Sequence, residues 1–195
     1  MGNNLEFVIK KPNIQKFLVT IVGTSSMIQH KFSEKAKREM LEKQLKKAAK
    51  AKDARNPQAE YENSLYRDQD GDVAFPALAI KQAVVAAARN VDGLPMTILR
   101  GALFIKGDQD GLLKVKHREL RMREDVVRLN GSSADLRYRG ELLDWSIDLP
   151  IEYNADVLSA EQVLSLLQIA GFACGLGEWR PEKNGDKGTF TVQEQ

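Results

Sequence analysis

Near the end of the chain, Gly175 to Val192 reads GLGEWRPEKNGDKGTFTV. Glycines such as Gly175 and Gly177 let backbone N–H groups approach an anion closely. Arg180, Lys183 and Lys187 add positive charge beside them, and Trp179 offers a ring on which a base could stack. The chemistry this points to is contact with phosphates and bases. A structural reading stands beside it, in which the glycines cap a helix and Trp179 packs on the core with Pro181. Two further stretches invite the same question. Between Lys31 and Arg55 there are ten Lys or Arg against four Asp or Glu. The predicted helix there carries Lys43, Lys46, Lys47 and Lys50, either as a phosphate-facing arm or as a solvated face. From Arg118 to Arg139 there are six arginines against four acids. Within it Arg137, Tyr138 and Arg139 place a ring between two guanidiniums, suited to stacking and phosphate contact. Alternatively, Glu124 and Asp125 pair with the arginines as a structural network.

Catalytic chemistry is poorly represented. The two histidines, His30 and His117, are far apart and lack a ligand pattern. No HExxH, CxxC or GxxxxGK[ST] string occurs, so no metal or nucleotide cofactor is signalled and none is expected. The single cysteine, Cys174, reads as core and fits a reducing, cytoplasmic setting. No stretch reaches the ~20 apolar residues of a membrane span. With 195 residues, 43% apolar, 29% charged and a net charge of +2, the chain suits one domain with insertions.

The elements that would position these residues follow from periodicity. Phe17–Gly23 reads as a strand, and Glu34 to about Ala54 as the basic helix. The polar stretch from Ala54 to Asp72 reads as a loop. Pro76 opens a buried helix through Lys81 to Arg89, with the proline at its first position. Leu99–Lys106 reads as a strand that turns back as a hairpin through residues 112–117. Trp145–Ile151 alternates as a strand, with Pro150 marking its end or an edge. Ser159-x-x-Gln162 is a capping box opening a second helix, and Thr189–Val192 is the last strand. Leaving out insertions at about 31–70 and 118–140, the order is β-α-β-β-α-β. That is a ferredoxin-like or RRM-like α+β fold, with an antiparallel sheet, two helices on one face and an open opposite face for a ligand.

Two stretches carry a family resemblance. VAFPALAIKQAVVAAAR resembles the strand-to-first-helix segment of RAMP-type proteins, the RRM-like subunits that line guide RNA in CRISPR effector complexes. Pro76, Lys81 and Arg89 fall in its pattern, although Gln82 stands where the family has glycine. GFACGLGEWRPEKNGDKGTFTV resembles that family's glycine-rich loop, which lies beside the RNA backbone; here its ending is less basic. The GEWRP string is also similar to strings in small phage-encoded proteins. The resemblance implies a non-catalytic single-stranded nucleic-acid-binding protein, on RNA or DNA, forming a homo-oligomer or filament. Two alternatives stay open: a protein-interaction module such as a phage-encoded inhibitor, and a metal-independent RNA nuclease using His30.

Overall fold

Alternation with a period of two builds the centre of the molecule. In Ser146–Asn154, residues Ile147, Leu149, Ile151 and Tyr153 point inward while Asp148, Pro150 and Glu152 point out. The computed structural model describes residues 10–32, 34–45, 55–129 and 133–193. In chain order the elements are β1 (Ile14–Gly23), β2 (Met27–Gln29), α1 (Glu34–Gln44), α2 (Pro57–Ser64), β3 (Tyr66–Arg67), β4 (Val73–Pro76) and α3 (Ala77–Ala87). They continue with α4 (Met96–Ala102), β5 (Leu103–Ile105), β6 (Leu112–Lys116), β7 (Glu119–Leu129), β8 (Ser133–Leu143), β9 (Ser146–Asn154), α5 (Ala160–Ile169) and β10 (Phe190–Val192). A π-helical turn, Ala170–Cys174, follows α5.

The main sheet runs β10-β1-β9-β6-β4-β3, with β5 also on β9, and its pairings are antiparallel. Taking β1, β5 with β6, β9 and β10 as the four core strands, their order is fourth, first, third, second around the β-α-β-β-α-β chain. Helices α3 and α5 pack against each other and so cover the same face. Between them and the sheet lies one core that includes Ile21, Ile80, Val84, Leu103, Leu149, Val163 and Leu167. The α+β architecture read from the sequence is the one observed.

Several local expectations are corrected. Of the basic helix, Glu34–Gln44 is described as α1, and the remainder of the expected span from Lys46 on, with Lys46, Lys47 and Lys50, lies outside the described residues. The supposed loop after Ala54 contains α2, whose Asn56 side chain accepts the Ala59 N–H at 3.0 Å ahead of Pro57. Pro76 is not the first helical residue but the extended N-cap of α3 and the last residue of β4. The first part of Leu99–Lys106 is helical, in α4. Strands β5 and β6 do not pair with each other. Both lie on the same edge of β9, as one strand interrupted by a turn at Gly107–Gly111. Pro150 sits inside β9, not at its end. Its carbonyl accepts the Lys106 N–H at 2.9 Å, so the N–H it lacks would have faced the point where β5 gives way to that turn.

The capping box at α5 is formed in full: Ser159 Oγ accepts the Gln162 N–H at 3.2 Å, and Gln162 Oε1 accepts the Ser159 N–H at 2.8 Å. Ser159→Ala is expected to cost about 1 kcal/mol, read as a lower urea midpoint at unchanged m value.

The arginine-rich segment is a long hairpin, β7–β8, extended by β2 into a second, three-stranded sheet. Helix α2 packs on β8. Gly140 permits this approach, since a Cβ there would sit 2.2 Å from Leu65 Cδ2.

Candidate nucleic-acid interface

The outer face of the main sheet is the first place to look for a ligand, but its charges are satisfied internally. Lys16 and Lys106 meet Glu152 at 2.6 and 3.2 Å, and Lys116 meets Asp148 at 2.7 Å. Hydrogen bonds from Lys16 and Lys106 hold the Glu152 carboxyl below the usual range, and those from Lys116 and Thr20 do the same for Asp148. Leu18 and Phe104 are exposed there, but the Phe104 ring already lies 3.9 Å from Lys81 Nζ.

A cleft of about 680 Å³ opens instead between α3 and the C-terminal loop. Leu78, Lys81, Gln82, Val85, Ala86 and Arg89 recur at three- and four-residue spacing, which puts them on one face of α3 and its continuing turn, and they form one wall. Met96 and Arg100, four residues apart on α4, extend it, and Gly175, Gly177, Glu178, Arg180 and Glu182 form the opposite wall. His30 and Tyr66 line it too. Four cations thus face two carboxylates. Arg89 and Arg180 lie 3.7 and 3.0 Å from Glu182. Burial lowers the Lys81 pKa, with repulsion from Lys106 adding, and its ammonium donates to the Arg100 carbonyl at 2.8 Å.

The loop holds its shape through close approaches. Gly177 has φ +77, and a Cβ there would lie 2.3 Å from the Ile28 carbonyl oxygen; at Gly188, with φ +68, it would lie 1.8 Å from that of Leu176. The Gly188 N–H in turn donates to Ser26 O at 2.8 Å. These glycines therefore serve chain packing, whatever else the loop binds. Arg180 Nη1 donates to Gly177 O at 2.9 Å and fixes the loop's mouth.

The structure brings Lys81, Gly175, Gly177 and Arg180 together in the cleft and places the other sequence-predicted residues elsewhere. Trp179 is 40% exposed at φ +56 and turns its ring to Arg123 of the hairpin, 5.5 Å away. Lys187 lies 3.7 Å from Asp186. Lys183 belongs to a short 3-10 turn beyond Arg180. Lys43 is carried on α1.

Arg137, Tyr138 and Arg139 do not form a single surface, because neighbours on a strand point to opposite faces. Tyr138 points toward Arg55, whose guanidinium centre is 5.9 Å from the ring. Arg137 pairs with Asp135 at 3.0 Å. Arg139 is only 3% exposed, its Nη1 is 3.9 Å from Glu178, and burial lowers its pKa. Around it Arg123 bonds Asp125 at 2.8 Å, and Arg121 bonds Glu141 at 2.9 Å. The arginines of this face are largely a structural network.

Glu141 anchors that network. Burial works to raise its pKa, but hydrogen bonds from Ser26 and Arg121 and the charge of Arg123 outweigh it and leave the pKa lowered. A carboxyl depressed on folding stabilises the native state above its unfolded value, about 4.3, and loses that contribution as pH falls through the folded value. Glu141→Gln should therefore cost about 3 kcal/mol near neutrality and flatten the fall in melting temperature below roughly pH 4.3.

Arg100, Met96 and Tyr66 were not singled out from the sequence. Arg100 was hidden by the strand assignment, although Pro95 marks the start of α4 and Met96 lies one turn before Arg100. Among the described residues, no group of three or more His, Cys, Asp or Glu is placed to hold a metal ion, and no helix is long and apolar enough to cross a membrane.

These elements define an RRM-like, ferredoxin-like α+β fold with an added hairpin sheet. Among solved structures, the chain is similar to one in the cryo-EM structure of the Type III-B Cmr-beta bound to cognate target RNA, with a TM-score of 0.60 and 11% identity over 93% of this chain and 60% of that one. The present chain thus spans less than two thirds of that relative's length. Cmr6 from Pyrococcus furiosus aligns over 93% of this chain and 99% of its own, at a TM-score of 0.44 and 11% identity. No protein-family model matches the sequence, and no curated protein matches it.

Proposed function

We propose that this protein binds single-stranded nucleic acid by its backbone, without cleaving it, along the cleft between α3 and the C-terminal loop, and that copies assemble along the strand. The observation that carries this reading is the convergence of Lys81, Arg89, Arg100 and Arg180, from three separate parts of the fold, on one open cleft. An apolar wall from Val85 and Met96 suits base faces, while the cations suit phosphates. The lysine arm, with Lys43 on α1 and Lys46, Lys47 and Lys50 after it, adds phosphate contacts. RNA is the first ligand to test, since the structurally similar Cmr-beta was determined with target RNA. Fluorescence anisotropy with a labelled single-stranded RNA across a salt series tests the reading. Each phosphate contact contributes about −0.7 to the slope of log affinity on log salt, so the four cleft cations give about −3. Binding that ignores salt, or that favours duplex over single strand, would count against it.

A second reading is supported by the place of His30. Its Nδ1 lies 3.8 Å from Glu178 in the same cleft, and His30 heads the causes that hold the Glu178 carboxyl below its usual range. Cleavage of RNA without added metal, abolished in His30→Ala, would establish a nuclease; recovery of intact RNA after long incubation would leave the binding role alone.

A further inference from the structure

Helix α1 and the residue that follows it, Leu45, carry an apolar stripe that is open to solvent. Met40, Leu41 and Leu45 are 50%, 54% and 58% exposed. The Leu45 N–H donates to Leu41 O at 2.9 Å, so the two leucines stack along one side. A helix of 11 residues has little stability of its own in water and is normally held by burying its apolar face. The segment around it is strongly positive, with ten Lys or Arg against four acids from Lys31 to Arg55. Its complement is an apolar corner edged with carboxylates.

The same chain presents such a corner. The string Asp-Gln-Asp-Gly occurs twice, at 68–71 and 108–111. In each copy the leading carboxylate accepts backbone N–H groups two and four residues on: Asp68 from Asp70 and Asp72, Asp108 from Asp110 and Leu112. The two turns stand side by side, with Gln69 Nε2 donating to Asp110 Oδ2 at 3.3 Å. Among the described residues, Lys114 pairs with Asp72, but no Lys or Arg forms an ion pair with Asp68, Asp70, Asp108 or Asp110. Leu78, 63% exposed, shares this corner, because the neighbouring Ala77 donates its N–H to Gly111 O.

We propose that α1 of one copy docks its Met40, Leu41 and Leu45 stripe against Leu78 and the paired acidic turns of a second copy. The inference rests on the assembly reading above and supplies its two surfaces. The surface given differs from the surface received, so the contact is head-to-tail and repeats along a filament. Leu78 also borders the cleft, so the docked helix lies beside the strand held by the neighbour.

Two full-length variants test this. Leu41→Ser with Leu45→Ser removes the donated stripe. Asp70→Lys with Asp110→Lys reverses the receiving corner, and neither carboxylate closes its own turn. Light scattering coupled to gel filtration is read for protein alone and with a long single-stranded RNA. Wild-type protein is expected to form multi-copy particles on that RNA. On the long RNA the copies of each variant should bind independently, without the clustering of wild type; on a short oligonucleotide, which both variants still bind, each alone should remain single-copy. An equimolar mixture of the two variants should give a two-copy species and nothing larger. If wild type assembles and the serine variant assembles equally well, the docking is overturned and the assembly reading stands. If the mixture stays single-copy, the pairing of these two surfaces is wrong. If wild type remains single-copy on long RNA, the assembly reading falls as well.

Discussion

Replacing Arg89 and Arg100 together by alanine is expected to weaken binding of single-stranded RNA by roughly a hundredfold, since removing one charge-assisted hydrogen bond costs about 1.5 kcal/mol. The salt slope should become shallower by about 1.4, the share of two phosphates. Stability should hardly change. The Arg89–Glu182 pair is 3.7 Å long and the arginine is largely exposed, a class of ion pair that contributes little. Arg180 is left in place because it also holds the Gly177 carbonyl, and replacing it would mix a change of loop shape with a change of charge. Titration of a labelled oligonucleotide at several salt concentrations, with thermal melts alongside, separates the two effects. A double variant that binds with wild-type affinity and slope would move the strand away from the cleft.

The second large effect is expected at Trp145. Its ring is fully buried, its indole N–H donates to Ser25 O at 2.8 Å, and it meets Phe190 edge-on at 6.2 Å. Gly23 lies so close that a Cβ would sit 2.3 Å from the indole nitrogen. Trp145 therefore joins the end of β1, the Ser25 turn and β10, and the last two border the C-terminal loop. Trp145→Ala should cost about 3–5 kcal/mol, equivalent to a fall of roughly 10 °C in Tm. Trp145→Phe keeps a ring but leaves Ser25 O without its donor, so an intermediate effect is expected. A melting curve that moves by only a degree or two for the alanine variant would show that the tryptophan does not join these parts.

Features written in local chemistry were legible in the sequence. Ser159 and Gln162 sit at capping-box spacing and form one. The alternation after Trp145 became β9, and the order of periodic segments was enough for the β-α-β-β-α-β arrangement. Short elements bounded by local signals were harder. Asn56 followed by Pro57 is an N-cap with a proline at the first position, yet the polar helix behind it has no apolar stripe to reveal it. Val73–Phe75 is too short to show a period before α3 begins. Faces were hardest of all. Arg137, Tyr138 and Arg139 are adjacent in sequence, and only their placement on a strand turns the tyrosine away from the arginines. The buried Arg139 meets Glu178, which arrives from the far end of the chain. The cleft joins residues as distant as His30, Lys81, Arg100 and Arg180, and no local window contains that juxtaposition.

The central claim is that nucleic acid runs between α3 and the C-terminal loop and not across the open face of the sheet. Ultraviolet cross-linking of a bound 4-thiouridine RNA, followed by mass spectrometry of the attached peptides, tests it most directly. Cross-links are expected on the segments containing Leu78–Arg100 and Gly175–Glu182, with Tyr66 and Met96 among the modified residues. Cross-links confined to Lys16 and Leu18 on the outer sheet face, with the cleft unmodified, would contradict it.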